Sequence, residues 1–230
     1  MTTNRSAGLL FAALLIAAIV AIYWPGRNGG FVFDDMPNIV ENTALHVTSL
    51  ARAEWLAAVF SSPASAFQRP VAMLTFATNH YFTGLDPMPM KLVNIGIHAA
   101  NALLVLLLVR RLLTTAAPDV SSGRRTWAAR FVAAAWALHP LQLMAVLYVV
   151  QRMESLSHLF VFAGLLAYVA GRQRQLEGRG VGRWCWVGSS EAPASASLRK
   201  NRRPCCRCTP SSSNCVCSAS RGVRPGTLAG

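Results

Sequence analysis

The strongest constraint on this chain is an apolar run from 8 to 24, GLLFAALLIAAIVAIYW, with no charged side chain in it. As a helix rising 1.5 Å per residue, it nearly crosses a hydrocarbon core of about 30 Å. Tyr23 and Trp24 stand where an interfacial aromatic belt would lie. A signal peptide is the rival reading, since Arg5 precedes the run. The aromatic end, Pro25 and the lack of a small-residue cleavage site favour a retained span. Three more apolar stretches follow at 92–113, 128–150 and 155–170, the third interrupted by His139-Pro140. In a second version of that third span, it ends near Leu138 and an interfacial helix follows. Only 13% of the chain is charged and mean hydropathy is +0.36, against roughly 25% charged in ordinary soluble domains. The expected fold is therefore all-α: a polytopic integral membrane protein with about four transmembrane helices.

The charges fall at the ends of these runs, which argues against a nucleic-acid-binding face despite the net charge of +13. Arg5, Arg110, Arg111, Arg124, Arg125, Arg172, Arg174, Arg179 and Arg183 fall on one side, which the positive-inside rule makes cytoplasmic. The opposite side receives Asp34, Asp35, Glu41, Glu54, Asp86 and Glu154, six of the nine acids. The expected location is a bacterial inner (plasma) membrane, multi-pass, with the N-terminus in the cytoplasm.

The outer loop, 25–91, is too long for a simple turn. Thr48 or Ser49 suits the cap of a helix over 50–60, which Pro63 prevents from extending. Pro70 suits the start of a second helix and Gly84 its end. Both are expected to lie along the membrane interface; packing helices of a small soluble domain are the alternative.

Lys91, Asn94, His98 and Asn101 recur at spacings of 3, 4 and 3, so they share one helix face. Polar groups in hydrocarbon turn to the protein interior or a wet cavity. The stripe serves either hydrogen bonding to neighbouring helices or a function. His139 is equally ambiguous. Asp34-Asp35 concentrates negative charge just past a span. One carboxylate could take a proton from a hydroxyl while the other holds a divalent cation or orients the pair. Arg69 and Arg152, cations on the same side, are candidates for two-point phosphate contact. No zinc-protease spacing, Gly-x-Ser-x-Gly or P-loop is present. Nor is there an inverted repeat of the kind a transporter predicts.

Phe33-Asp34-Asp35 with Ile39 and Asn42, then Arg69-Pro70, Asn79-His80-Tyr81, His98 with Asn101, His139-Pro140 and Gln151-Arg152-Met153-Glu154-Ser155 occur in this order. The ordered set resembles the N-terminal membrane part of the transmembrane and tetratricopeptide-repeat O-mannosyltransferase family, specifically its bacterial relatives. These in turn resemble the C-superfamily of membrane glycosyltransferases. The likeness covers about 5–184. It implies transfer of a sugar from a polyprenyl-phosphate carrier to a protein hydroxyl outside the cytoplasm. On that reading Asp34 or Asp35 is the general base, and Arg69 or Arg152 stabilises the departing phosphate. His98, Asn101 and His139 line the carrier or sugar pocket, and Glu154 joins the substrate-binding set. The implied partners are the lipid-linked donor, the acceptor protein and the bilayer, with no nucleic acid. A non-enzymatic membrane scaffold or partner-binding protein is the alternative.

The membrane domain is expected to occupy 1–187. From 188 to 230 the chain is basic, Cys/Ser-rich and of low complexity. All six cysteines fall between Cys185 and Cys217, but their spacing makes a poor zinc site. The segment is expected to be a disordered tail or a frameshifted continuation. Written in assumed GC-rich codons and read two bases later, 198–214 yields a further apolar run. The relatives continue with more spans and helical repeats, so the chain is expected to be an inactive fragment.

Overall fold

In the computed structural model, residues 2–63 and 69–177 are described, with side chains from Ser6 onward. The chain divides into two units, Met1–Ser190 and Glu191–Gly230; the second, with the expected tail, lies outside the described residues. Every described element is helical. Long helices are α1 (Thr2–Tyr23), α4 (Pro87–Ala116), α5 (Ser122–Ala137) and α7 (Arg152–Leu176). Shorter ones are α2 (Arg52–Val59), α3 (Pro70–Thr83) and α6 (Gln142–Leu147).

Among the described residues, three segments are long and apolar enough to cross a membrane: Ser6–Asn28, Pro87–Ala116 and Val149–Leu176. This is a multi-pass membrane protein. The expected third span, 128–150, is not one helix. Helix α5 has 16 residues and stops at Ala137, because Pro140 cannot continue it. His139 Nδ1 accepts the Leu141 N–H at 3.2 Å, and α6 restarts at Gln142. The break thus falls where the second version placed it, near Leu138, and a short helix follows. Helix α5 runs antiparallel to α4: Arg125 Nη1 donates to the Ala117 carbonyl past the C-terminal end of α4, and His98, well back along α4, meets the Ala137 carbonyl.

Two apolar cores hold the described part together. Leu15, Ile19 and Tyr23 of α1 pack with Ile95, Ala102 and Val105 of α4 and Ala133 and Ala137 of α5. The small residues on α5 let the helix backbones approach closely. The second core joins the outer loop to the start of α7. It contains Ile39, Leu45, Val47, Met73, Phe76, Met90, Val149 and Met153. Helices α2 and α3 thus pack as a small helical cap over the ends of the long helices. Their other faces stay bare: Leu56, Phe60, Val71, Leu74 and Phe82 are exposed.

Local chemistry explains the boundaries. Pro70 opens α3 and Gly84, at φ 65°, closes it. Asp86 caps α4, accepting the Met88 N–H at 2.9 Å, with Pro87 in the first turn. The cap of α2 differs from expectation. Ala51 holds the cap position, and Glu54 reaches back to accept from the Thr48 and Ser49 N–H groups and the Ser49 hydroxyl. These hydrogen bonds, the Ser49 hydroxyl foremost, hold the Glu54 carboxyl below its ordinary range.

Candidate functional site

The turn after α1 is pinned to the chain just before α7. Asp35 is buried and both carboxylate oxygens accept backbone N–H groups: Oδ2 from Val32 at 3.1 Å, Oδ1 from Val150 at 2.7 Å. Burial pushes its carboxyl up, and these hydrogen bonds with the nearby Lys91 oppose the rise. Asp34 has the opposite fate. Its N–H donates to the Tyr148 hydroxyl at 2.7 Å, and its carbonyl accepts from Asn38 Nδ2 at 2.8 Å. Its backbone is clamped while its side chain faces solvent. Phe33, immediately before it, sits at φ 43°. A left-handed non-glycine residue costs on the order of 1–3 kcal/mol and gathers at functional turns.

Among the described residues, Arg69 is the other non-glycine residue with left-handed backbone, at φ 40°. Its Nη2 pairs with Glu154 Oε1 at 3.0 Å, and its Nη1 lies 3.4 Å from Met153 Sδ. Segment 148–154 therefore anchors both the aspartate turn and Arg69. Arg152, in the same segment, is enclosed. Its Nε donates to Asn94 Oδ1 at 2.8 Å, and Nη1 to Asn79 Oδ1 at 2.7 Å and Thr75 Oγ1 at 3.4 Å. Nη2 donates to the Met90 carbonyl at 2.7 Å, and the guanidinium lies over the Phe76 ring. Arg152 has no exposed surface; its fork ties α3, α4 and α7 together rather than facing a ligand.

The polar stripe of α4 is buried throughout. Lys91 Nζ donates to the Gly29 carbonyl at 2.6 Å, satisfying the chain where it leaves the first span. Asn94 bonds the Tyr148 and Val149 carbonyls besides Arg152. His98 Nε2 meets the Ala137 carbonyl at 2.8 Å, and Asn101 Nδ2 donates to the Ser155 carbonyl at 2.9 Å. His98 and Asn101 also line a cleft of about 330 Å³ with Glu154, Trp136, Gln142, Gln151, Ser155, His158 and Phe162.

Over this framework the chain is similar to several curated proteins. Protein O-mannosyl-transferase TMTC3 of Homo sapiens is 29% identical over 164 residues, 69% of this chain and 17% of that protein. Protein O-mannosyl-transferase Tmtc3 of Drosophila melanogaster is 31% identical over 182 residues, 73% of this chain and 20% of that protein. Protein O-mannosyl-transferase TMTC4 of Homo sapiens is 33% identical over 181 residues, 73% of this chain and 24% of that protein. The chain is a distant homologue of the protein O-mannosyl-transferases. It spans about a fifth of the length of these relatives. No protein-family model matches it, and no solved structure matches it.

Of the residues expected to form the site, His98, Asn101 and Glu154 meet at the cleft, and Arg69 reaches it through Glu154. Asp34 and Asp35 lie on the neighbouring turn. His139 lies outside the lining, exposed and bonded within its own turn. No group of three or more His, Cys, Asp or Glu side chains able to hold a metal occurs among the described residues. Both Asp35 oxygens are already engaged by backbone N–H groups, so the aspartate pair fits a divalent cation poorly. Sequence reading missed Trp136, Gln142, His158 and Phe162. Of these only Gln142 and His158, polar residues between apolar ones, carried a signal.

Proposed function

We propose that the chain is part of a membrane glycosyltransferase that moves a sugar from a polyprenyl-phosphate carrier to a protein hydroxyl on the extracytoplasmic face. In this reading 1–187 form the membrane unit, α5 with its broken extension completes a fourth crossing, and the N-terminus lies in the cytoplasm of a bacterial cell. The homology to O-mannosyl-transferases supports the reaction class. One observation carries the site: segment 148–154 holds a free carboxylate turn on one side and a half-exposed arginine on the other.

Asp34 is the general base. It takes the proton of the acceptor hydroxyl as that oxygen attacks the anomeric carbon. The bond from that carbon to the carrier phosphate breaks, and its electron pair leaves on the phosphate oxygen. Arg69 stabilises the growing negative charge by charge-assisted hydrogen bonds. Asp35 and Arg152 are positioning residues. Asp35 holds the turn that presents Asp34, and Arg152 holds the segment that presents Glu154 and Arg69.

The test is transfer of labelled mannose from farnesyl-phosphate mannose to a serine/threonine peptide. It is run in membranes carrying this chain and in membranes carrying the human relative. Changing Asp34→Asn, or its counterpart, is expected to abolish transfer without loss of protein. Unchanged transfer in that variant would remove Asp34 from the chemistry and favour a scaffold.

A further inference from the structure

We propose that the seam between the N-terminal halves of α1 and α5 binds the phosphate of an anionic phospholipid, with Arg130 as the donor and Trp127 and Phe131 along the acyl chain. The lipid belongs to the leaflet nearest the N-terminus. The seam lies at the opposite end of α1 from Asp34, so the proposal is independent of the sugar-transfer reading.

Arg130 is a lone cation in an apolar stretch of α5, WAARFVAAAWA. An ionisable side chain in a membrane helix is costly and needs a partner or a path to the interface. Helix α5 runs parallel to α1: Arg130 Nη2 donates to the Ala7 carbonyl at 3.0 Å, and the Tyr23 hydroxyl donates to the Ala137 carbonyl at 3.3 Å. Side chains on a helix lean toward its N-terminus, and the long arginine stem lets the head reach the interface. Arg130 follows both tendencies. Ala7 is next to the first residue of the membrane-crossing segment Ser6–Asn28. The guanidinium therefore stands at the edge of the hydrocarbon, level with lipid headgroups. The Phe11 ring of α1, at 5.1 Å, and the Trp127 ring of α5, at 5.2 Å, hold it there.

Among the described residues, the hydrogen bond to the Ala7 carbonyl is the one Arg130 makes, and no carboxylate balances its charge. Its Nε and Nη1 are unbonded and remain accessible from outside the protein. A planar guanidinium with free donors suits a phosphate oxygen pair. The approach to it is lined for a lipid rather than a free anion. Trp127 and Phe131, 67% and 75% exposed, stand one turn apart on one face of α5. The tryptophan suits the headgroup boundary, and the phenylalanine below it suits an acyl chain. Arg124 and Arg125 lie nearer the start of the same helix, so the local field favours an anionic headgroup over a zwitterionic one. Arg125 is spent on the Ala117 and Pro118 carbonyls. Arg124 is exposed, which makes it the charge-matched control for Arg130.

The experiment titrates the purified full chain in detergent with phosphatidylglycerol or phosphatidylcholine and reads the retained lipid by native mass spectrometry. The wild type should hold phosphatidylglycerol about 10-fold more tightly, the effect expected of one charge-assisted contact. Arg130→Gln should abolish that preference. Arg124→Gln, with the same loss of charge, should keep it. Because Arg130→Gln also alters the contact between α1 and α5, a second measurement uses the unaltered chain in nanodiscs. Phosphatidylglycerol carrying a diazirine on its acyl chain next to the glycerol should label the peptides holding 7–11 and 127–131. Excess unlabelled phosphatidylglycerol should remove the label, and excess phosphatidylcholine should not. Equal retention of the two lipids, equal losses in the two glutamine variants, or label spread over the whole lipid-facing surface overturns the site. Displacement of the lipid by inorganic phosphate would reveal a free-anion site and overturns the proposal as well.

Discussion

Asp35 Oδ1 accepts the Val150 N–H at 2.7 Å across 115 positions of sequence. That bond sets the register between the turn after the first span and the segment leading into α7. Next to it, Asp34 leaves its carboxylate unbonded among the described residues. The two aspartates should therefore separate cleanly under the same change. Asp35→Asn puts an amide donor against backbone donors in a buried site, costing about 1–3 kcal/mol. Asp34→Asn should leave stability unchanged and abolish transfer. Thermal unfolding in nanodiscs, read beside the transfer assay, checks both; equal loss of stability in the two variants would refute the division.

Asp35 also predicts an unusual pH dependence. Its folded carboxyl is raised by burial above the ordinary value of about 3.9. The folded state thus binds more protons than the unfolded state between those two values. Stability from this group is fully present below the unfolded value and is lost as pH rises through the raised folded value. Glu54 works in the other direction. Its lowered carboxyl stabilises above the unfolded value and loses that contribution as pH falls. In a Glu54→Gln background, which removes the opposing slope, the melting temperature should climb on acidification into the window above pH 4. Adding Asp35→Asn should flatten that climb. A slope unaffected by Asp35→Asn would disprove the assignment.

Arg152 should behave as a structural fork. Arg152→Met strands the Asn94 and Asn79 amide oxygens, at about 1–3 kcal/mol for a buried acceptor. The expected result is a large fall in folded yield and melting temperature. Arg152→Lys should recover only part, since an ammonium cannot span acceptors that a planar guanidinium reaches together. Full recovery by lysine would show that charge alone matters there.

Much of this architecture was legible in the sequence, for identifiable reasons. Pro70 and Gly84 punctuate α3 through backbone constraints that act locally. The spacing of Lys91, Asn94, His98 and Asn101 marked one buried face, because hydrocarbon penalises unpaired polar groups wherever they sit. The fate of Arg152 was not legible. Its acceptors lie 58 to 77 positions away, and nothing local distinguishes an enclosed arginine from one facing a phosphate. Trp136 and Phe162 were hidden for another reason: in an apolar helix, a ring lining a cleft reads the same as one facing lipid. The two aspartates looked equivalent because only the fold decides which one the Val150 N–H reaches.

The Arg69–Glu154 pair offers the sharpest separation of stability from chemistry. Both side chains are well exposed, at 37% and 51%, so water and salt screen the pair and it is worth only about 0–1 kcal/mol to folding. Arg69→Ala should therefore melt close to wild type. If Arg69 stabilises the departing phosphate, its removal costs about 100-fold in kcat, as for other donors to a developing charge. Glu154→Gln acts oppositely on the carrier. It removes the carboxylate that competes with phosphate for the guanidinium, so KM for farnesyl-phosphate mannose should fall, with the gain fading at high salt. Steady-state kinetics at low and high salt, with the two changes made at the counterpart positions of the full-length human relative, give the comparison. Parallel losses in both would mean that the ion pair itself, rather than a freed Arg69, is what transfer requires.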